Sequence, residues 1–288
     1  EIGVRLVGSE MCIRDRMIGA EPAALKHQPK TPGEIRLSVA GLNLAREDQF
    51  GVDLSDIHLS VRAGEVVGIA GVSGNGQREL LFALSGEDTR AEPSSILLQG
   101  QAFGQQGPQA RRAMGLHFVP EERLGRGAVP GLSLAQNLLL TRQDAITPSG
   151  WIRPRVLAQQ ALAVMERFQV KAGGPQAMAK SLSGGNLQKF IVGREVAAQP
   201  AILIVSQPTW GVDVGASAQI RGEILALRNA GCAVLVVSEE LDELFELCDR
   251  LHVIAKGRLS PSIDRAQASV AQIGEWMSGL WEVADAAA

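Results

Sequence analysis

Cysteine is scarce, with three residues in a chain of 288. Cys12, Cys232 and Cys248 form no Cys-x-x-Cys pair, so neither a disulfide framework nor a zinc ribbon is indicated. Cys232 and Cys248 fall in apolar stretches, where small buried side chains are expected. The histidines show no metal-ligand spacing and are expected on the surface or in the core: His27, His58, His117 and His252.

Long hydrophobic runs and an excess of one charge are also lacking. The longest runs, Ala201–Val205 and Cys232–Val237, are strand-sized, well short of the ~18 residues of a membrane-spanning helix. We therefore expect a soluble chain that reaches a membrane through a partner. Basic and acidic residues number 28 and 31, which argues against a nucleic-acid partner bound through its phosphates, although a local basic patch is left open. A hydrophobic content of 45% excludes global disorder.

Both ends of the chain are expected to lie outside the fold. Residues 1–16 begin at Glu1, lack periodicity and lack the apolar core of a signal peptide. They resemble translated adapter sequence, so we predict a non-native leader on an N-terminally truncated chain. Residues 17–33, rich in proline, are a predicted linker, and 281–288 a frayed tail. The remaining length suits one large α/β domain with an inserted subdomain, or two domains.

Strand and helix signals alternate through the rest of the chain. A helix is predicted from Gly76 to about Gly86, and 87–112 as loops and an edge hairpin. The apolar spacing from Leu157 to Phe168 predicts a helix within a helical subdomain of about 122–190. Strands are predicted at 35–42, 57–61, 66–70, 116–119, 201–205 and 233–237, with a closing hairpin over 251–260. This order predicts a largely parallel sheet with helices on both faces.

A glycine-rich loop joins the predicted strand 66–70 to the helix after it: Gly71-Val72-Ser73-Gly74-Asn75-Gly76-Gln77-Arg78. Such a loop can turn its N–H groups towards an anion, and the helix N-terminus adds a favourable dipole. The pattern G-x-x-x-x-G-K-[ST] is met at both glycines but not at its last two positions. Taken alone, the loop is equally consistent with a phosphate site and with a tight turn that binds nothing.

The string Ser181-Leu182-Ser183-Gly184-Gly185-Asn186-Leu187-Gln188-Lys189 is more specific. Ser183 can cap a helix, and the two glycines after it expose backbone N–H groups at the start of that helix. The string therefore predicts a helix end that faces an anion.

With these motifs the chain resembles an ATP-binding-cassette nucleotide-binding domain over residues 34–280. LSGGNLQK is similar to the family's signature motif. GVSGNGQREL, FVPEERLGRG, IVSQPTWGVDVGA and VSEELDEL resemble the C-terminal cassette of two-cassette ATPase subunits of simple-sugar and nucleoside importers. The resemblance implies the α/β fold of P-loop NTPases with a small antiparallel β subdomain and an inserted helical subdomain. Met17-Ile18-Gly19 resembles Met277-Ser278-Gly279, as if each ended a cassette, which agrees with a missing N-terminal half.

The resemblance also implies ATP and Mg²⁺ as ligands, and this cassette departs from the family at the residues that would hold them. Gln77 stands where a Lys reaches the β- and γ-phosphates, so a positive charge is lost. Arg78 stands at the Mg²⁺-ligand hydroxyl and Ser206 at the Mg²⁺-anchoring Asp, so we expect neither to bind the metal. Loop residues retained for the nucleotide phosphates are Gly71, Ser73, Gly74, Asn75 and Gly76.

The positions that would handle the attacking water and the γ-phosphate are altered as well. Gln207 stands for the Glu that polarises the water, and an amide cannot take a proton near neutral pH. Glu239 replaces the switch His, and Glu121 stands at the Q-loop Gln, so each brings an anion. We predict a degenerate nucleotide site in this cassette.

The signature string, in contrast, matches the family. Two cassettes of the family associate head-to-tail, so that each ATP lies between one phosphate loop and the other signature. Ser183, Gly184, Gly185 and Asn186 are then expected to cover the γ-phosphate of ATP held by the missing first cassette. Asp213 resembles the D-loop contact between cassettes.

Several further positions have two readings. Phe50 lies near the adenine-stacking aromatic of the family, with a loop anchor as the favoured alternative. Arg123 and Arg126 follow the Q-loop position, where they would contact a permease or lie on a solvated loop. The acidic run 239–243 is expected to be a solvated helix start.

The function implied by the resemblance is that of the second cassette in the ATPase subunit of a sugar or nucleoside importer. Its partners would be the first cassette, a membrane permease and, indirectly, a periplasmic or lipoprotein substrate-binding protein, at the cytoplasmic face of the membrane; no nucleic acid is expected. One alternative is a non-catalytic nucleotide-sensing or dimerisation module. Another, a soluble cassette protein of translation or DNA repair, fits less well because such proteins usually retain the Walker residues or carry zinc cysteines.

Overall fold

The computed structural model describes residues 31–142 and 151–281. The predicted leader, all but the last three residues of the predicted linker, Cys12, His27, the Met17-Ile18-Gly19 segment and residues 282–288 lie outside the described residues. Among those described, no helix is both long and apolar enough to cross a bilayer.

The strands are β1 (Ile35–Leu44), β2 (Leu54–Arg62), β3 (Val66–Ala70), β4 (Ile96–Leu98), β5 (Gln101–Ala102), β6 (Leu116–Val119), β7 (Ile202–Ser206), β8 (Ala233–Ser238), β9 (Arg250–Ala255), β10 (Arg258–Leu259) and β11 (Ile263–Asp264). The α-helices are α1 (Gln77–Ser85), α2 (Pro108–Ala113), α3 (Leu134–Leu139), α4 (Pro154–Arg167), α5 (Gly184–Val196), α6 (Val214–Asn229), α7 (Leu241–Leu247) and α8 (Val270–Met277).

A mainly parallel sheet forms the centre of the fold, in the order β10-β9-β3-β8-β7-β6. β3 pairs in parallel with β8 and β9, and β7 with β6 and β8. β10 and β11 are antiparallel to β9, which confirms the predicted closing hairpin. A separate antiparallel sheet has the order β2-β1-β4-β5. The α/β class with a small antiparallel β sheet is therefore confirmed.

Both faces of the parallel sheet are covered. The central strand β3 is accordingly apolar and buried along its whole length. Val66 and Ala70 point into one hydrophobic cluster, which contains the buried faces of α3 to α7. Val67 and Ile69 point into another, shared with α1 and the antiparallel sheet. Gly68 is required between them, because a Cβ there would lie 2.6 Å from Cys248 Sγ.

The segment 87–112 contains more structure than the loops and edge hairpin predicted for it. β4 and β5 form the hairpin, but α2 follows, and Arg111 on α2 is fully buried. Its guanidinium donates to the carbonyls of Ala83 (2.6 Å) and Leu84 (2.7 Å) near the end of α1, and to that of Phe103 (2.8 Å). Burial lowers the pKa of Arg111 to about 10. A charged side chain that satisfies carbonyls from distant segments carries no local sequence signal, so the pattern missed it.

His252 on β9 gives the fold a calculable pH dependence. Arg250 Nη1 donates to His252 Nε2 (3.3 Å), so the proton lies on Nδ1, which donates to the Ser260 carbonyl (2.8 Å). Burial, together with the smaller effect of the Arg250 cation, lowers the pKa of His252 to about 4. The unfolded chain takes up this proton near pH ~6.5. The free energy of unfolding is therefore not reduced by His252 above that pH. It falls by about 3 kcal/mol as the pH is lowered from there to ~4, because only the unfolded chain takes up the proton.

We expect the His252→Gln variant to lose most of this pH dependence, because glutamine can donate and accept but does not titrate. Urea unfolding of both proteins between pH 7.5 and pH 4 measures the difference. Equal slopes of unfolding free energy against pH in the two proteins would contradict the assignment.

Candidate functional site

A cleft lies over the carboxyl ends of the central strands. Ala70 is in register with Ser238, and Ser206 with Val237, so the segments that follow β3, β7 and β8 meet at one edge of the sheet. The cleft has a volume of about 300 Å³. The sequence-predicted residues that it brings together are Gly71, Ser73, Gly74, Gln77, Arg78, Glu121, Ser206, Gln207 and Glu239.

The glycine loop is closed on the side chain of Gln77. Gln77 Nε2 donates to the Val72 carbonyl (2.8 Å), and the Asn75 N–H donates to Gln77 Oε1 (3.0 Å). A Cβ at position 71 would lie 2.7 Å from Gln77 Nε2 and 2.7 Å from the Ile254 carbonyl oxygen, so Gly71 is needed for this arrangement. The glutamine amide thus occupies a backbone donor of the kind that phosphate loops offer to an anion.

Glycine conformation and a side-chain anchor hold the loop in place. Gly74 and Gly76 have φ of 82° and 108°, which favours glycine strongly. Asn75 ties the loop to the turn after β9, since its Oδ1 accepts from the Lys256 N–H (2.9 Å) and its carbonyl from the Gly257 N–H (2.9 Å). α1 begins directly after Gly76 and ends at Gly86, as predicted.

Two guanidinium groups line one wall of the cleft. Arg78 lies over the Phe82 ring, 5.0 Å from its centroid. Arg126 lies 4.3 Å from the same ring and forms ion pairs of 2.7 Å with Glu87 and Glu122. Arg126 therefore does not extend freely into solvent, as a residue of an ordinary solvated loop would. Its charge is balanced by the two carboxylates.

Carboxylates face the cleft from two loops. Partial burial raises the pKa of Glu121, and the nearby charges of Glu122 and Glu239 raise it further. All three carboxylates line the same cleft, and neighbouring like charges disfavour one another's ionised form. These carboxylates oppose the entry of a polyphosphate, whereas Arg78 brings a cation to the same cleft.

The ends of β7 and β8 are joined through Gln207. This residue has φ of 48°, and its Oε1 accepts from Ser238 Oγ (3.3 Å) and from the Glu239 N–H (3.4 Å). Ser206 beside it is buried. Across residues 31–142 and 151–281, no group of three or more His, Cys, Asp or Glu is placed to hold a metal. Arg78 and Ser206, at the two positions expected to hold Mg²⁺, carry none of the carboxylate oxygens that this ion prefers.

The signature segment lies outside this cleft, at the N-terminus of α5. Ser183 is the N-cap, and its Oγ accepts from the Asn186 N–H (3.5 Å) and from Asn186 Nδ2 (2.9 Å). Asn186 Oδ1 accepts from the Lys171 N–H (2.8 Å). Ser183 and Gly184 are exposed, so the N-terminus of this 13-residue helix faces outward.

The turn before α6 adjoins the signature segment. A Cβ at Gly185 would lie 3.8 Å from the Gly211 carbonyl, and Gly211 has φ of 62°. Asp213 caps α6 by accepting from the Ala216 N–H (2.9 Å). The structure therefore places Asp213 near Ser183–Asn186 and apart from the cleft residues.

Three interpretations of single residues need correction. Phe50 is 86% exposed at the edge of the cleft, so it does not anchor its loop. Glu243 is buried and accepts from Thr209 Oγ1 (2.6 Å), so the acidic run is not wholly solvated; burial raises the pKa of Glu243. Arg123 turns towards α5 and the turn at Trp210, where Nε donates to Gln188 Oε1 (3.1 Å), instead of lying on a solvated loop.

The family model described as ABC transporter matches residues 54–210. The nucleoside import ATP-binding protein NupA of Lactococcus lactis is 36% identical over 250 residues, which are 86% of this chain and 49% of that protein. The ribose import ATP-binding protein RbsA of Halalkalibacterium halodurans is 34% identical over 249 residues, 86% of this chain and 48% of that protein. The guanosine import ATP-binding protein NupO of Bacillus subtilis is 33% identical over 97% of this chain and 53% of its own length. The chain thus spans about half the length of the curated relatives it matches.

Solved structures agree on the fold. An ATP-binding subunit of an ABC transporter superposes with a TM-score of 0.69 at 18% identity, over 84% of this chain and 99% of that one. The dimeric post-hydrolysis state of the ATP-binding cassette MJ0796, with bound ADP and phosphate, gives 0.66 at 18% identity over 80% and 98%. The sequence match, the two-sheet architecture and the glycine loop at the end of β3 agree: the chain belongs to the ABC transporter family and has the fold of its ATPase cassettes.

Proposed function

We propose that this chain is the second cassette of the ATP-binding subunit of an importer for simple sugars or nucleosides. It completes an ATP site on the first cassette with its signature segment, while its own cleft binds ATP weakly or not at all and does not hydrolyse it. The observation that carries this proposal is the contrast between a phosphate loop closed on Gln77 and a signature helix end open to the outside.

Charge supports the weakness of the cleft as a nucleotide site. A phosphate that entered the loop would have to displace the Gln77 amide, and would meet no lysine there. It would also approach Glu121 and Glu239. A hydrogen bond to a charged group is worth ~1.5–3 kcal/mol, so the loss of several such contacts weakens binding by orders of magnitude.

The signature segment has the features of an anion-facing helix end. Ser183 caps α5, Gly184 and Gly185 leave the first turn unobstructed, and the helix dipole favours negative charge at this end. Together with Asp213 next to it, this surface suits a nucleotide held by the first cassette, packed head-to-tail against this one. The names of the relatives, which refer to import of nucleosides, ribose and guanosine, support the transported class.

A second cavity, of about 390 Å³, supports a permease as partner. It lies between the loop after β6 and α3, and includes Phe118, Pro120, Leu140 and Thr141. Leu140 is 58% exposed there, as an apolar contact for a partner would be. Docking of a permease segment at this place would put the cassette on the cytoplasmic face of the membrane, with a substrate-binding protein on the other side.

The isolated chain tests the proposal directly. We expect no phosphate release from Mg²⁺-ATP above background and no ATP binding tighter than about 1 mM by calorimetry, the affinity of a few weak contacts. The Gln77→Lys variant removes the amide and adds a cation, so its ATP affinity should rise about tenfold or more. Gln77→Met, which removes the amide without adding charge, is the matched control and separates the two effects.

Tight ATP binding by the unmodified chain without turnover would favour the nucleotide-sensing module instead. Rapid Mg²⁺-dependent hydrolysis by the isolated chain would contradict both readings. A failure of Gln77→Lys to bind ATP better than Gln77→Met would show that the carboxylates of the cleft, and not position 77, limit binding.

A further inference from the structure

Arg123 lies where three segments meet: the loop after β6, the first turns of α5 and the turn before α6. Its Nε donates to Gln188 Oε1 on α5 (3.1 Å), and its Nη2 donates to the Trp210 carbonyl. The guanidinium also lies over the indole of Trp210, 5.3 Å from the ring centroid. Gln188 in turn donates through Nε2 to the Pro208 carbonyl (3.0 Å), so α5 is joined to the end of β7 as well.

Two glycines make room for this guanidinium. A Cβ at position 184 would lie 2.6 Å from Arg123 Nη1, and one at position 211 would lie 3.2 Å from Nη2. Gly184 belongs to the signature segment and Gly211 to the turn that leads to Asp213. Partial burial lowers the pKa of Arg123, but a guanidinium with an ordinary pKa above ~12 stays charged at neutral pH.

We infer that Arg123 is a positioning residue for the signature segment. It joins Ser183–Asn186 to the turn at Trp210–Asp213, so that both present one fixed surface to the nucleotide of the other cassette. Arg123 acts through these two segments and is not required to touch the nucleotide itself. This inference rests on the proposed function, because it concerns the same composite site.

The chemistry of the contact requires arginine. A planar guanidinium can donate in two directions within its plane while its face lies on an indole. An ammonium group can replace one of these contacts but not all of them together. Arg123→Lys should consequently behave more like Arg123→Gln than like the parent.

Two measurements test the inference. The first uses a chain in which Trp151, Trp276 and Trp281 are replaced by Phe, so that Trp210 is the single remaining tryptophan. Arg123→Gln and Arg123→Lys should shift Trp210 emission and increase its quenching by acrylamide, since the indole loses its cover. Arg167→Gln is the control: Arg167 likewise lies over an aromatic ring, that of Phe168, but its guanidinium is bound by Glu223 on α6 and not by the signature segment or the turn at Trp210.

The second measurement is steady-state ATP hydrolysis by the two-cassette polypeptide. Arg123→Gln and Arg123→Lys should lower kcat about tenfold or more, as misplaced groups do, with KM for ATP changed less than about twofold, because the first cassette holds the nucleotide. If Arg123 only stabilised the fold in general, its variants would instead contain less folded, active enzyme. The molecules that remain folded would then show unchanged Trp210 emission.

The outcomes are distinguishable. Unchanged Trp210 emission in both Arg123 variants overturns the inference. Unchanged kcat in these variants also overturns it, provided that Ser183→Arg does reduce turnover in the same polypeptide. Unchanged turnover in Ser183→Arg removes the proposed function itself and this inference with it. Altered emission together with reduced kcat and nearly constant KM supports both.

Discussion

Ser183→Arg in the two-cassette polypeptide is expected to lower ATP turnover on the order of 100-fold or more, the size of effect seen when a preorganised donor is lost from a reacting centre. Ser183 is an exposed N-cap whose Oγ accepts from the Asn186 N–H. Arginine at this position removes the cap and places a long side chain across the helix end. The nucleotide held by the other cassette would then no longer meet the N–H groups of the first turn.

A matched control separates this effect from the simple loss of a helix cap. Ser269 is likewise an exposed serine N-cap, and its Oγ accepts from the Gln272 N–H (3.2 Å) at the start of α8. Ser269→Arg should cost the same ~1 kcal/mol of cap stabilisation as Ser183→Arg. It should leave ATP turnover close to that of the parent, because α8 has no part in the proposed site.

Phosphate release under saturating Mg²⁺-ATP, with thermal unfolding of each variant beside it, gives the comparison. Equal turnover in the parent and in Ser183→Arg, at similar unfolding temperatures, would contradict the composite site. Equal losses in Ser183→Arg and Ser269→Arg would show that cap loss alone accounts for the effect.

The parts of the fold that could be predicted are those determined by short-range sequence patterns. β3 and α1 follow from an apolar run, two glycines and the Leu80-Leu81-Leu84 spacing, and Gly86 ends the helix with φ of 85° as a C-cap glycine should. The Ser183 cap and α5 follow in the same way. The chain order of strands and helices then indicates the parallel sheet.

The parts that could not be predicted depend on contacts between distant segments. The sequence shows that Gln77 replaces a lysine, but not that its amide closes the loop onto Val72 and Asn75. Glu243 sits in an acidic run that suggests solvent, yet it is buried against Thr209, 34 positions earlier in the chain. One signal is present in the sequence: Glu243 stands four positions before Leu247, so both lie on the buried face of α7.

Gly184 also has a role that depends on a distant segment of the chain. Gly184 is explained by the signature resemblance as a residue that leaves N–H groups free. The structure adds a second reason, because Arg123, from another loop, fills the space that a side chain at 184 would take. One residue type thus answers two requirements, and sequence reasoning can identify only the local one.

A buried ionic cluster is expected to dominate the stability of the junction between β6 and α5. Glu195 is fully buried, and its carboxylate accepts from Arg112 (2.8 Å), His117 (2.7 Å) and Arg194 (2.8 Å). Burial alone would raise the pKa of Glu195, but the charges and hydrogen bonds of Arg194, His117 and Arg112 together hold it well below its ordinary range. The carboxylate is therefore ionised in the folded protein at neutral pH.

Glu195→Gln should destabilise the chain by about 3–5 kcal/mol, because it leaves buried cations without their anion. The comparison is Glu223→Gln, which breaks the ion pair with the half-exposed Arg167 and should cost less than about 1 kcal/mol. Urea unfolding at pH 7.5 gives both free energies. Since Glu195 lies on α5 together with the signature segment, and His117 on the strand that leads to Glu121, the same loss should loosen the two loops relative to each other. Similar small losses in both variants would mean that the cations find water or carbonyls instead, and that the cluster does not hold β6 and α5 together.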